Sequence, residues 1–147
     1  MIPQAFNYEA PTTLAGAIAL LQKYGSDAKI MSGGHSLIPM MKLRLATPEH
    51  VIDISGIKGM EYIHEEGGYL KIGALTKEVA LEESKLIHSK YPLITDATKM
   101  IADPSVRNLA TVGGNLAHGD AANDHPAVML ALRASVLASG PNGDREI

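Results

Sequence analysis

Apolar side chains recur at Leu14, Ala17, Ile18 and Leu21, the i, i+3, i+4 and i+7 positions of one helical face, so the stretch TLAGAIALLQKYG reads as a helix. Thr12 or Thr13 supplies a start cap and Gly25 a stop. On either side lie shorter runs, AFNY and AKIMS, too short for helices and read as strands, the second of them buried. The opening pattern is therefore β–α–β. LIPMMKLRL follows as a short helix with Pro39 in its first turn, and HVIDI as another strand. EYIHEEGGYLKIG has two β-rich runs around Gly67 and Gly68, which predicts a hairpin. Residues 76–84 and 92–100 read as helices, and DPSVRNLATVGGN as a long connection of polar and small residues. A last helix begins near Asp124 or His125 with Pro126 in its first turn, before a strand ASVLAS that ends at the turn GPNGD.

This order of elements places a boundary near residues 55–59, where the β–α–β unit gives way to the hairpin. The expected division is a first lobe over 1–57 and a second α+β lobe over 58–147. The closing DREI, just after a turn that normally launches a returning strand, reads as the front part of a larger fold.

Composition narrows the chemistry. The 147 residues are 46% hydrophobic but only 4% aromatic, so the core must come from aliphatic side chains and Met. No apolar run approaches the roughly 20 residues that span a bilayer, and MIPQAFNYEAP lacks the basic-then-apolar pattern of a signal peptide, which leads to an expected cytoplasmic location. The chain has no cysteine, which removes disulfides, thiolate metal sites and iron–sulfur ligation from it. A net charge of −3 without a long basic run argues against nucleic acid. A phosphate would have to be held by backbone N–H groups more than by lysines.

Two glycine pairs could hold one in this way. SGGHS lies at the carboxyl end of the second strand, the edge of an open α/β sheet where ligands tend to lie, and TVGGN comes later in the chain. Without Cβ, such residues reach positive φ, can turn successive N–H groups toward one point and let an anion approach the backbone; Ser32, Ser36 and His35 could add donors. The competing account is a tight turn that needs glycine for geometry alone. Neither a G-x-x-x-x-G-K-[ST] nor a G-x-G-x-x-G pattern is present, while two donor loops would suit the two anionic centres of a pyrophosphate. HGDAANDH raises a different possibility. His118, Asp120, Asp124 and His125 could serve a metal-dependent hydrolase, although Asp124 before Pro126 is equally a helix cap. A third possibility is a non-catalytic module that binds a phosphorylated ligand through the same loops. His50, His64 and His88 read as surface residues, Lys42 and Arg44 as neighbours of the first loop or a solvated helix face, and Arg107 as an exposed turn cation.

SGGHSLIPMMKLRL, TVGGN and AHGDAANDHPAVMLAL, in that order, resemble the FAD-binding medium subunit of molybdenum hydroxylases of the carbon monoxide dehydrogenase and xanthine dehydrogenase family. The resemblance covers essentially the whole chain and implies an α+β, two-lobed PCMH-type (vanillyl-alcohol oxidase-like) FAD-binding fold, truncated at its C-terminal side. It also implies an FAD-dependent oxidoreductase subunit. By position it assigns Ile30, Met31, Ser32, Gly33, Gly34, His35, Ser36 and Leu37 to one pyrophosphate loop between the lobes, and Thr111, Val112, Gly113, Gly114 and Asn115 to the other. Asp124 falls at an acidic flavin-contacting position and Ile101 at an apolar one. Ser32 stands where a small apolar residue is usual. The implied chemistry is electron relay from [2Fe-2S] clusters on a small partner, fed by a molybdenum cofactor on a large partner, through noncovalent FAD to an external acceptor. No residue is assigned as acid, base, nucleophile or metal ligand.

Overall fold

A computed structural model describes residues 1–147. By proximity the chain divides into two units, one formed by Met1–Lys58 with Ser135–Ile147 and the other by Gly59–Ala134. Residues 135–147, expected in the second lobe, thus group with the first unit.

The first unit is built on a three-stranded parallel sheet of order β1-β3-β2, with β1 over Asn7–Glu9, β2 over Ala28–Met31 and β3 over His50–Asp53. β3 pairs on both sides, matching Tyr8 to Val51 and Ile30 to Ile52. Burial follows that order. Val51 and Ile52 are 1% and 0% exposed, whereas Ile30 on the edge strand keeps 37%. The expectation that AKIMS is buried is corrected accordingly, because the later strand occupies the centre. Helix α1 (Leu14–Tyr24) starts at Thr13, whose hydroxyl accepts from the Gly16 N–H at 3.1 Å, and closes at Gly25 in a positive-φ conformation. Only Ala17 of its apolar face is fully buried. Helix α2 covers Leu37–Lys42. Strands β6 (Leu137–Gly140) and β7 (Gly143–Glu146) form an antiparallel hairpin, so the turn GPNGD has its returning strand within this chain.

The second unit opens with the hairpin β4 (Ile63–Glu66) and β5 (Tyr69–Ile72). Gly67 and Gly68 take φ of 62° and 82°, as a two-residue type I′ turn requires. Helices α3 (Glu78–Glu83), α4 (Lys85–Lys90), α5 (Pro92–Met100), α6 (Pro104–Arg107), α7 (Val112–His118) and α8 (Asp124–Ala131) follow. Leu81, Ile87, Ile94, Val112 and Val128 form the core, and Ile63, Leu70 and Ile72 of the hairpin pack against it. Two sequence expectations change here. Ser84 ends α3 and caps a further helix, α4, by accepting from the Ile87 N–H. The stretch read as a long connection folds into α6, capped by Asp103 with Pro104 at its first position, and α7, capped by Thr111.

Candidate functional site

The first glycine segment leaves β2 where Met31 lies opposite Asp53, at the carboxyl end of the parallel sheet. Ile30 and Met31 belong to the strand, residues 32–36 form the turn, and Leu37 opens α2. Gly34 is buried with φ +74°, and a Cβ there would stand 2.7 Å from Ile38 Cδ1. Its carbonyl accepts the Ile38 N–H at 3.0 Å and so starts the helix. Residues 33–36 therefore turn sharply between two ladders, with their backbone free of β-carbon bulk at the tightest point. His35 is exposed, and its Nδ1–H donates to the Gly33 carbonyl at 2.7 Å. In the neutral ring this leaves Nε2 as an acceptor, so His35 donates to an anion only when protonated.

Opposite Met31, at the end of β3, Asp53 Oδ2 accepts from the Tyr8 hydroxyl at 2.5 Å and Asp53 Oδ1 from the Ser55 N–H at 2.8 Å. Burial alone would raise the Asp53 carboxyl, but the Tyr8 and Ser55 bonds outweigh it and hold the group below the usual carboxylate range. The same bond to Asp53, first among its causes, raises the Tyr8 phenol.

The second glycine pair has a different backbone. Gly113 and Gly114 lie in the first turn of α7, where Gly114 N–H donates to Thr111 Oγ1 at 3.2 Å. Gly113 N–H donates to Ala74 O at 2.9 Å, Val112 N–H to Thr76 O at 3.0 Å, and Glu78 N–H to Ala110 O at 3.0 Å. Residues 110–113 are thereby laid along 74–78, and a Cβ on Gly113 would come within 2.7 Å of the Ala74 carbonyl oxygen. The expected loop with N–H groups converging on one external point is corrected: both glycine N–H groups already donate inside the unit. Here glycine is required by close approach of two backbones. Asn115 Oδ1 is buried without a partner, while the Asn115 carbonyl accepts from Asn123 Nδ2 at 3.0 Å. That contact brings the start of α8, with exposed Asp124 as its first residue, to the second glycine segment.

Ile101 is 8% exposed at the end of α5. Its carbonyl accepts from Arg107 Nη1 at 2.9 Å, and Arg107 Nε donates to Glu82 Oε2 at 2.8 Å. Arg107 is thus a buried brace, not the exposed cation expected from its polar surroundings. His50 is likewise half-buried, stacked on Tyr24 with ring centroids 3.6 Å apart.

The four residues of HGDAANDH do not assemble. His118 Nε2 stands 3.9 Å from Asp120 Oδ2, but His125 is fully buried and turned onto Glu78 Oε2 at 2.6 Å. No group of three or more His, Cys, Asp or Glu is placed to hold a metal ion. The Glu78–His125 pair escapes a reading of the sequence because 47 positions separate its members and nothing local marks either as buried. A cleft of about 420 Å³ in the first unit, lined by Lys29, Met40, Leu45, Pro48 and Glu49 among others, shares no residue with either glycine segment.

Residues 4–147 match the family model described as the FAD binding domain in molybdopterin dehydrogenase. The carbon monoxide dehydrogenase medium chain of Hydrogenophaga pseudoflava is 51% identical over all of this chain and 51% of its own length. The 6-hydroxypseudooxynicotine dehydrogenase complex subunit alpha of Paenarthrobacter nicotinovorans is 40% identical over all of this chain and 50% of its own. Among solved structures, the cyanide-inactivated form of the Cu,Mo-CO dehydrogenase superposes with a TM-score of 0.98 at 48% identity, covering 100% of this chain and 51% of that one. The chain spans about half the length of the curated relatives it matches. With 144 of its 147 residues inside the family model, this mixed helix and strand chain belongs to the FAD-binding domain family of molybdopterin dehydrogenases.

Proposed function

We propose that this chain binds FAD noncovalently, in a PCMH-type (vanillyl-alcohol oxidase-like) arrangement, as part of the medium subunit of a molybdenum hydroxylase. The observation that carries the reading is the left-handed glycine turn of the first segment, in a chain with this family membership. Gly34 sits in a left-handed turn at the carboxyl edge of a parallel sheet, and Gly113 is pressed onto Ala74. The donors and the acceptor present fit a cofactor with anionic and amide-like groups. The turn over residues 33–36 offers backbone N–H groups outside the strand and helix ladders, and Asn115 offers a carboxamide whose buried end has no partner. In this proposal the cofactor contacts are Ile30, Met31, Ser32, Gly33, Gly34, His35, Ser36 and Leu37 of the first unit, and Thr111, Val112, Gly113, Gly114, Asn115, Asp124 and Ile101 of the second. The second segment contributes the Asn115 side chain, not a nest of glycine N–H groups.

Bound FAD would supply two-electron redox chemistry, exchanging electrons with one-electron carriers on one side and an acceptor on the other. The residues here bind and orient it. Without a cysteine, this chain cannot ligate iron–sulfur clusters, so in the proposed relay these reside on a small partner and the molybdenum cofactor on a large one. The named relatives act on chemically unlike substrates. That diversity accords with substrate choice being made outside this chain.

The test is the visible spectrum of the purified chain with added FAD or FMN, followed by acid precipitation. The expected result is saturable binding of FAD, weaker binding of FMN, and complete release of flavin into the supernatant. No saturable FAD binding would overturn the reading, and flavin retained by the precipitate would overturn its noncovalent part.

A further inference from the structure

The second unit buries two ionisable side chains that have no part in the proposed cofactor contacts. Glu78 is the first residue of α3 and His125 the second of α8; both side chains are 0% exposed, with 2.6 Å between His125 Nε2 and Glu78 Oε2. Burying such a pair costs desolvation that an apolar pair of similar volume would avoid. The pair is not part of a saturated network that would offset this, since Glu78 Oε1 and His125 Nδ1 have no partner. What distinguishes the pair is where its two ends are attached.

On one side, the Glu78 N–H donates to Ala110 O, and Thr76 O two residues earlier accepts the Val112 N–H, both at 3.0 Å. The strip holding Glu78 is the strip on which the second glycine segment lies. On the other side, His125 follows Asp124 directly, and Asn123 Nδ2 donates to the Asn115 carbonyl at 3.0 Å. The Glu78–His125 bond therefore closes a loop of directional contacts that runs from α3 through residues 110–115 to the start of α8 and back. The hydrophobic effect is non-directional, whereas a hydrogen bond fixes direction as well as distance.

We propose that Glu78 and His125 are a positioning pair for FAD, holding Asp124 and the start of α8 in register with residues 111–115. The inference rests on the FAD reading. The experiment is FAD titration of the 147-residue chain by flavin fluorescence, together with the visible circular dichroism of the bound flavin and thermal unfolding. It uses wild type, Glu78→Gln, and the double variant Glu78→Leu with His125→Leu. Glu78→Gln keeps an acceptor for the imidazole N–H, and its FAD affinity stays within about threefold of wild type. The double variant folds with an undiminished thermal midpoint, because an apolar pair replaces a costly polar one. It nevertheless binds FAD at least about tenfold more weakly, with an altered flavin dichroism. A folded double variant with wild-type affinity and dichroism overturns the proposal, and so does one that cannot fold, since the pair would then be a folding requirement. Equal loss in Glu78→Gln and the double variant also overturns it. Wild type that fails to bind FAD overturns the FAD reading itself, an outcome separate from all of these.

Discussion

The two glycine pairs look alike in sequence and differ in almost everything else. The first has a glycine with φ +74° in a turn at a sheet edge, and the neighbouring strand ends in a bond between Tyr8 and Asp53. The second is helical, with its N–H groups spent on Ala74 and Thr111, and its surroundings are held by buried polar side chains: Arg107 on Ile101 O, and Glu78 on His125. One glycine answers a demand of backbone torsion, the other a demand of space. Identical dipeptides can therefore tolerate different substitutions.

The largest effect should come from Gly113→Ala. The new Cβ would press on backbone, with the Ala74 carbonyl oxygen 2.7 Å away, and backbone cannot step aside as a side-chain tip can. We expect a loss of about 2–3 kcal/mol, the upper part of the range for overpacking, measured by urea unfolding. A loss below about 0.5 kcal/mol would show that residues 110–113 do not lie as tightly on 74–78 as described.

Gly34→Ala should cost less, about 1–2 kcal/mol for a left-handed backbone conformation. The steric part is small, because the atom it would meet, Ile38 Cδ1, is the far end of a flexible chain. Gly34→Asn should recover part of that loss, since Asn enters this region more readily, whereas no polar substitution should rescue Gly113. Equal behaviour of Ala and Asn at position 34 would remove the distinction between torsion and space.

The smallest effect concerns the Tyr8–Asp53 bond at the carboxyl end of the parallel sheet. Asp53 titrates below its ordinary value of 3.8, so its contribution is present above that value and lost as pH falls through the folded-state one. Tyr8 titrates above 10.0, so its contribution is present below that value and lost as pH rises through the folded-state one. Tyr8→Phe should therefore lower stability by about 0.5–1 kcal/mol between about pH 5 and 9, a figure reduced for solvent screening. The difference should shrink as pH falls below 3.8 through the folded-state value of Asp53, and as pH rises above 10.0 through that of Tyr8. A Tyr8→Phe penalty that persists unchanged at both extremes would assign the effect to ring packing and not to the bond.

Elements with local causes are legible in the sequence. The Gly67-Gly68 hairpin and α1, with Thr13 and Gly25 at its ends, need only turn and capping chemistry. Asp103-Pro104 carries an equally clear helix start, yet the small and polar residues around it disguise the stretch as a connection. At Thr111 the cap is also present, but two glycines in the following turn weigh against a helix, and tertiary pairing with residues 74–78 outweighs that propensity. Arg107 reads as solvent-exposed because charge defaults there; its burial depends on Glu82 and the Ile101 carbonyl, partners brought near only by folding. For the site, the family motifs locate the segments, while the means by which each holds its shape lie in contacts between residues far apart in sequence.

The sheet order β1-β3-β2 also bears on synthesis. Asn7 and Ala28 both pair with His50, and neither early strand pairs with the other. Emerging from the ribosome, β1 and β2 have no strand partner until the region around residue 53 is available, so their assembly must wait for closure across the intervening chain. A pause in translation before that point would leave two strand edges and the first glycine segment without their central scaffold. Once β3 arrives, it completes both ladders together, making the last strand of this sheet the one on which its cooperativity depends.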